Sequence, residues 1–445
     1  MVARPTRPGK LRGHFYNRFV ARSILLLWAV VPLFSGPASA DVMVTTLAGG
    51  KPARGISLTA DGRTVSLQSA EGEVLRIPTA QVVEIVTIPP PAAPPPATRP
   101  FEVELVDGAR FRGILGPGKT ADDVSVKSPV LGPAALGISL DLVLAVRRVD
   151  GVRVPGSSRL VRIPDVDAAY RLSGARVEGT VARFHGTGVE IDRGDLGRSE
   201  ISYRELAAVF VDNEPQTRPD GLHVVARLAD GSAVTLTKDF HVAGGQLRGR
   251  TPGGVAVRVE IARVHALGFQ GGSFVHVSDL PARDVKREPF FALPEGPVAD
   301  AMLDFVCPVR IDESPDGRPI TLNKRMYFKG IGVRPRTELT YSLEGKGFKT
   351  FRALCGIDDE VLGPGYGRGA GTGSVVFIVQ VDGRTVFSSE PVEGGKTPVP
   401  VAVPVAGAKT LTLIVSLVPQ AKMPKGMADG PELDNAVWAK PLLIR

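Results

Sequence analysis

Hydrophobic and polar residues alternate in short runs along most of the chain from residue 41 onward. Alternation of this kind puts one set of side chains on a buried face and the other in solvent, as in half-buried β-strands. The chain has 51 glycines and 38 prolines but only 6% aromatic residues, which favours short strands joined by tight turns over long helices. The pattern therefore predicts an all-β protein.

Four segments repeat one pattern, in which an alternating strand and a tight turn lead through further short strands to a final apolar strand. At about 45 residues, each is near the size at which a single core barely suffices, so we expect neighbouring modules to pack together. The layout loosely resembles small SH3-like or Sm-like β barrels. The segments are residues 41–89, 101–150, 160–213 and 220–272, with a linker over residues 90–100.

Two kinds of local signal mark the connections. Asp-Gly pairs at residues 107–108, 230–231 and 382–383 predict hairpins, because both central residues can take positive φ. The linker is rich in proline, which fixes φ and removes backbone donors, so it is predicted to be an extended polyproline spacer.

Residues 1–40 have the pattern of a secretory signal peptide. Six basic residues and no acid precede or flank the short apolar run from Ile24 to Phe34, and Ala38-Ser39-Ala40 resembles a cleavage site. An uncleaved membrane anchor is the alternative, but it needs about 20 apolar residues, and this run is shorter. We expect cleavage after Ala40 and an exported protein that is periplasmic, at the cell surface or extracellular.

The formal net charge of +8 belongs mostly to this leader, because removing its six basic residues leaves 8 − 6 = +2. Nucleic-acid-binding proteins concentrate Lys and Arg on one face or stripe, whereas here these residues are scattered among acids. The sequence therefore argues against nucleic acid as a partner.

Longer alternating runs from residue 273 to 445 predict a β-sandwich. Several motifs follow one another in this region: Lys329-Gly-Ile-Gly-Val333, Leu339-Thr-Tyr-Ser-Leu343, Phe351-Arg-Ala-Leu-Cys-Gly-Ile-Asp-Asp-Glu-Val361, Gly373-Ser-Val-Val-Phe-Ile-Val-Gln-Val-Asp-Gly383 and Val405-Ala-Gly-Ala-Lys-Thr-Leu-Thr-Leu413. In this order they resemble NPCBM, the carbohydrate-binding module found beside glycoside hydrolase family 98 catalytic domains. The resemblance implies a galactose-binding-like β-sandwich, or jelly roll, that binds sugars through loops at one edge.

This chain departs from the family pattern in two places. Val437 stands where family members often carry an aspartate, and the segment from Leu362 to Gly373 is expanded by glycines.

Sugar recognition needs carboxylates or amides for paired hydroxyls and an aromatic face for the apolar side of the ring. The candidate carbohydrate-binding residues are Asp358, Asp359, Glu360, Tyr366, Asp434, Asn435 and Trp438. Alternatively, the acids form solvated turns and Trp438 is a core residue, the interpretation that we favour for this tryptophan because tryptophan is usually buried. No cofactor is required, although clustered carboxylates are also ligands for calcium.

The two cysteines, Cys307 and Cys355, allow either a disulfide, which export permits, or two buried free thiols. Sequence spacing does not decide between them. The histidines after the leader, at positions 185, 223, 241, 265 and 276, are dispersed and are predicted to be surface or satisfied core residues. They show no metal-ligand spacing and no nucleophile motif, so no catalytic site is predicted.

These patterns lead to one main hypothesis and two alternatives. The main one is an exported, non-catalytic, multi-modular protein that binds glycan at the cell envelope or outside the cell. The alternatives are an envelope scaffold that binds proteins through exposed strand edges and, less favoured, a glycan-active hydrolase with a cleft between repeats.

Overall fold

The computed structural model describes residues 41–49, 51–94, 100–150, 160–216, 221–289, 292, 298–362, 373–418 and 434–445. The predicted leader and Tyr366 lie outside these ranges. Most of the described residues are in strands that pair antiparallel, and the expectation of an all-β protein is confirmed. Over the same residues, no helix has the length and apolar character needed to cross a bilayer.

The four repeat segments each contribute five or six strands. The first contains β1 (Asp41–Thr46), β2 (Ala53–Gly55), β3 (Ser57–Asp61), β4 (Thr64–Gln68), β5 (Val74–Pro78) and β6 (Val82–Ile88). The second contains β7 (Phe101–Leu105), β8 (Arg110–Pro117), β9 (Asp123–Lys127), β10 (Leu136–Ser139) and β11 (Val143–Arg148). The third contains β12 (Asp167–Arg171), β13 (Arg176–Phe184), β14 (Gly188–Asp192), β15 (Arg198–Ser202) and β16 (Leu206–Phe210). The fourth contains β17 (His223–Leu228), β18 (Ala233–Leu236), β19 (His241–Ala243), β20 (Gln246–Arg250), β21 (Ala256–Glu260) and β22 (Val264–Gln270).

Three of the repeats end in the same way, with a 3₁₀ turn between the last two strands. The turns are Thr79–Gln81, Leu140–Leu142 and Ile261–Arg263, and the first residue of each is buried. A buried residue followed by a tight turn redirects the chain into the final apolar strand of each of these repeats.

One large sheet runs through all four repeats, in the strand order β15-β14-β13-β12-β16-β11-β7-β8-β18-β17-β22-β6-β1-β2. A second sheet, β21-β20-β19-β3-β4-β5, is shared by the first and fourth repeats. The order in space is therefore third, second, fourth, first. In the sheet, the first repeat pairs with the fourth, with Val86 opposite Ala266. In the sequence, the proline-rich linker connects the first repeat to the second. A single buried hydrophobic cluster extends through the repeats.

The C-terminal part is a two-sheet sandwich, as the family resemblance implies. Its elements are β23 (Phe274–His276), β24 (Asp284–Arg287), α1 (Val298–Val306), β25 (Val309–Ile311), β26 (Ile320–Leu322), β27 (Arg325–Tyr327), β28 (Gly330–Val333), β29 (Thr337–Ser342), β30 (Thr350–Ile357), β31 (Ser374–Val381), β32 (Arg384–Ser388), β33 (Val392–Glu393), β34 (Val399–Pro404), β35 (Thr410–Leu417) and β36 (Ala436–Ile444). One sheet has the order β25-β28-β36-β30-β34 with β23 beside β36, and the other has the order β24-β29-β35-β31-β32 with β33 beside β31. Their facing side chains form a second hydrophobic core.

The repeats and the sandwich meet along an extensive junction. Lys440 of β36 forms a buried ion pair with Glu84 of β6. Arg227 of β17 donates a hydrogen bond from Nη2 to the carbonyl oxygen of Phe328, at 2.9 Å. Leu442 of β36 belongs to the hydrophobic core of the repeats. The junction therefore combines apolar packing with polar contacts that have specific partners.

Candidate functional site

Most of the predicted sugar-binding residues meet at one end of the sandwich. Strands β30 and β36 are antiparallel neighbours, with Ile357 opposite Ala436. Asp358 follows the end of β30 and Asn435 precedes the start of β36, and the backbone N–H of Asp358 donates to the carbonyl oxygen of Asn435 at 2.8 Å. The strand register thus brings together two parts of the chain that are far apart in sequence.

Asp358 is almost fully buried, with 1% of its surface exposed. Its carboxylate accepts hydrogen bonds from the backbone N–H groups of Thr321, at 2.8 Å, and Glu360, at 3.0 Å. Burial outweighs these hydrogen bonds and raises the pKa of Asp358 to about 7. The side chain holds the chain in place at this point and offers no exposed oxygen to a ligand.

Glu360 is half-buried and joins three segments. One carboxylate oxygen accepts from the Ser314 hydroxyl at 2.9 Å, and the other accepts from the Asn435 amide nitrogen at 2.7 Å. Burial raises the pKa of Glu360 above its ordinary value. The amide oxygen of Asn435 in turn accepts from Arg334 Nε at 3.3 Å. The result is a polar network with a partly accessible carboxylate at its edge.

Asp359 and Asp434 bind neighbouring backbone. Asp359, also half-buried, accepts from the N–H groups of Asn323, at 3.0 Å, and Lys324, at 2.6 Å, in the turn between β26 and β27. Asp434 is buried and accepts from the N–H of Ser374 at 2.9 Å. These acids are therefore hydrogen-bonded anchors and not the solvated turns that the sequence left as an alternative.

Trp438 lies in the core between the two sheets and is 0% exposed. Its ring contacts Phe377 edge to face, with 5.0 Å between centroids, and Phe351, with 6.4 Å. It is separate from the polar network and has no face for a sugar, so its inclusion among the sugar contacts is not supported. Tyr366, the other aromatic candidate, lies outside the described residues.

Cys307 and Cys355 are both buried and both free, so the structure has the two-thiol alternative and not the disulfide. The Cys355 thiol in β30 lies 3.4 Å from the carbonyl oxygen of Val399, its neighbour in the same sheet. Burial raises the pKa of both thiols, which makes them poor nucleophiles. For the part of the chain that the structure covers, no three or more His, Cys, Asp or Glu side chains group as metal ligands would.

Sequence reasoning missed Ser314, Thr321 and Arg334. These residues donate hydrogen bonds to the predicted residues of the network. No local signal marks the first two. Ser314 lies between β25 and β26 and Thr321 lies in β26, so their role depends on this part of the chain packing against the residues that follow β30. Arg334 had one available signal, its position immediately after the Gly330-Ile-Gly-Val333 strand motif.

The structure thus defines an all-β protein that ends in a two-sheet sandwich with a polar network at one end. Residues 297–444 match the family described as the NPCBM/NEW2 domain, and this part of the chain is an NPCBM domain. NPCBM is a family of carbohydrate-binding modules.

A curated relative is described as "Putative endo-alpha-N-acetylgalactosaminidase" of Renibacterium salmoninarum. It is 32% identical over 103 residues, which cover 23% of this chain. The chain spans only 6% of the length of that relative.

Two solved structures are also similar. The CBM51 module from Clostridium perfringens GH95, in complex with methyl-galactose, is 28% identical and covers 38% of this chain and 99% of its own, with a TM-score of 0.29. The tandem CBM51 modules of the family 98 glycoside hydrolase from Streptococcus pneumoniae are 14% identical and cover 85% of this chain and 87% of their own, with a TM-score of 0.28.

Proposed function

We propose that the protein is exported and binds glycan through its C-terminal domain, without catalysing a reaction on it. The observation that carries this proposal is the NPCBM domain at residues 297–444. The leader-like pattern of residues 1–40 supports export to the periplasm, the cell surface or the medium. The repeats then act as a rigid body that presents the domain.

The sugar contacts are proposed to lie around Asp359 and Glu360. These are the half-buried carboxylates of the network, whereas Asp358, Asp434 and Asn435 are buried. A carboxylate already held by Ser314 and Asn435 is preorganised, so it loses little side-chain entropy when it accepts a further hydrogen bond from a sugar hydroxyl. The proposal includes no calcium ion, because both carboxylates already accept hydrogen bonds from described residues.

The test is a broad glycan array probed with the purified protein, followed by calorimetric titration of the best ligand. Glycans that contain N-acetylgalactosamine belong on the array because the curated relative is named for that sugar. Specific retention of a glycan is expected. Absence of binding to every glycan would remove the proposed function, and retention of envelope proteins instead would favour the scaffold alternative.

The position of the site has its own test. Glu360→Gln is expected to weaken glycan binding about tenfold, because a hydrogen bond to a charged group contributes about 1.5 kcal/mol or more. The matched control is Glu393→Gln in β33, a half-buried glutamate in the other sheet. Equal affinities for the two variants would move the site away from this network while leaving glycan binding in place.

A further inference from the structure

A cavity of about 330 Å³ lies against one face of the large sheet, at its junction with the sandwich. Alternate residues of β17 and β22 form its floor, and residues of the sandwich form its other side. This volume is within the usual range of small-molecule sites, which occur preferentially between domains. The cavity is distinct from the polar network around Glu360.

The space exists because small residues occupy the middle of the floor. Ala266 and Gly268 succeed each other on the same face of β22 and both line the cavity. A Cβ added at Gly268 would meet only the carbonyl oxygen of Val225, at 3.9 Å. Glycine inside a strand weakens it and often marks the close approach of a ligand or of another backbone. Here the missing side chain leaves room.

Most charges around the cavity are paired. Glu84 pairs with Lys440, and Asp312 accepts from Lys329 at 2.7 Å. Arg227 differs, because no carboxylate lies within 4.0 Å of it among the residues that the structure describes. Its Nη2 donates to the Phe328 carbonyl, and its guanidinium lies 5.2 Å from the centre of the Phe328 ring. Burial lowers the pKa of Arg227, with partial compensation from Asp312.

One polar group beside the cavity lacks a hydrogen-bond partner. His276 of β23 is only 4% exposed, and its Nδ1 is buried without a hydrogen bond to any residue in the described ranges. Burial lowers its pKa to about 3, so the ring is neutral near neutral pH. This finding corrects the expectation that each histidine is a surface or satisfied core residue. Leaving such a group unpaired destabilises the folded protein.

We propose that this cavity binds a small hydroxylated carboxylate of monosaccharide size, such as a sugar acid. The planar guanidinium of Arg227 matches a carboxylate through paired hydrogen bonds, and the cavity is also lined by Gln216 and Thr235, whose side-chain types bond hydroxyl groups. The ligand supplies a carboxylate within hydrogen-bond distance of Arg227, which the described residues do not. This second site is independent of the glycan contacts proposed at Glu360.

Calorimetric titration of the full chain with D-galacturonate and D-glucuronate tests the proposal, with methyl galactoside as an uncharged counterpart. At least one acid is expected to bind, and the neutral sugar is expected not to compete with it. Arg227→Gln should weaken binding about 10- to 100-fold, which corresponds to the loss of a charge-assisted hydrogen bond. Its control is Arg258→Gln on β21, because the Arg258 Nε donates an exposed hydrogen bond to the Gln246 side chain, at 2.8 Å.

Because Arg227 also holds the junction, a second variant leaves that contact intact. Gly268→Leu should fill the cavity and abolish binding, while Gly137→Leu, at an exposed strand position with nothing within 4 Å of an added Cβ, should not. Glu360→Gln should leave binding of the acid unchanged, which separates this site from the proposed glycan site. Failure of both acids to bind, binding that survives Gly268→Leu, or equal affinity for the neutral sugar would each overturn the proposal.

Discussion

At the scale of single residues, Asp358 is a tightly held acid of the polar network. It combines near-complete burial with two backbone hydrogen bonds, and burial has the larger effect on its pKa. The raised pKa means that the folded protein binds a proton at Asp358 more tightly than the unfolded chain does. The stability of the sandwich therefore depends on pH at this residue.

The free energy of unfolding is expected to fall as the pH rises from about 4 to about 7. In this range Asp358 stays protonated in the folded state but is ionised in the unfolded chain, where its pKa has the ordinary value of 3.8. The contribution is complete below that range and is lost as the pH rises through the folded pKa, with a slope of up to about 1.4 kcal/mol per pH unit. Urea denaturation at a series of pH values measures it.

Asp358→Asn should flatten this slope, at a cost of about 1 to 2 kcal/mol from the exchanged hydrogen bond. Asp382→Asn is the control, because the backbone N–H groups of Thr410 and Lys409 lower the pKa of Asp382 and its protonation lies below the same pH window. If the slope from pH 4 to 7 were the same in wild type and Asp358→Asn, Asp358 would not be its source.

The Asp-Gly pairs show how far local sequence predicts backbone conformation. At Asp382-Gly383 both residues have positive φ, at 48° and 76°, as predicted. At Asp107-Gly108 only the glycine does, at φ 80°, because the Leu105 N–H also bonds the Ala109 carbonyl and widens the loop by one residue. The turn positions were predictable from sequence, but the turn type depends on the register of the strands.

At the scale of elements, the hairpin of β26 and β27 is held against the end of the sandwich. Its two-residue turn, Asn323-Lys324, has positive φ at both positions, 48° and 64°, and accommodates the carboxylate of Asp359. Asparagine tolerates the left-handed backbone conformation, whereas a lysine in that conformation is strained by its Cβ. Of the two residues in this turn, only Asn323 is of a type that tolerates positive φ.

Lys324→Gly is expected to stabilise the protein by about 0.5 to 1 kcal/mol, because relief of the left-handed strain exceeds the added entropy of the unfolded chain. The backbone N–H that bonds Asp359 is retained. Lys286→Gly in β24 is the control and should destabilise by a similar amount, because glycine weakens a strand. Denaturant midpoints report both, and destabilisation by Lys324→Gly would contradict the strain argument.

Elements were predicted more completely than the site. Alternating runs such as Lys349–Gly356 and Thr410–Leu417 overlap β30 and β35, because alternation reports the buried face directly. The sequence predicted which carboxylates belong to the candidate site, but it did not predict that they are buried. Whether Glu360 faces Ser314 or solvent depends on which strands are neighbours, and a single segment carries no information on that.

At the scale of the whole molecule, the order of the repeats in the sheet differs from their order in the chain. The first repeat pairs with the fourth in both sheets, through β6 with β22 and β3 with β19. The second and third pair with each other through β11 and β16. Repeats with similar patterns present similar strand edges, so local sequence does not specify this long-range pairing.

This pairing predicts that the first repeat does not fold alone. A fragment of residues 41–94 lacks the strands that pair with β3 and β6 in the intact protein. A hydrophobic core of that size gives marginal stability even when all strand pairs are present. Its amide proton spectrum is expected to show the narrow dispersion of an unfolded chain. Adding a fragment of residues 221–272 should restore dispersion, because it supplies β19 and β22 together.

A fragment of residues 160–216, the third repeat, is the matched control for this complementation. It has a similar length and pattern but pairs with the second repeat in the intact protein, so it should leave the spectrum of residues 41–94 unchanged. Wide dispersion from residues 41–94 alone would mean that the first repeat is an independent barrel. Equal rescue by both fragments would mean that edge pairing is promiscuous, and that the observed order depends on the linker and on the junction with the sandwich.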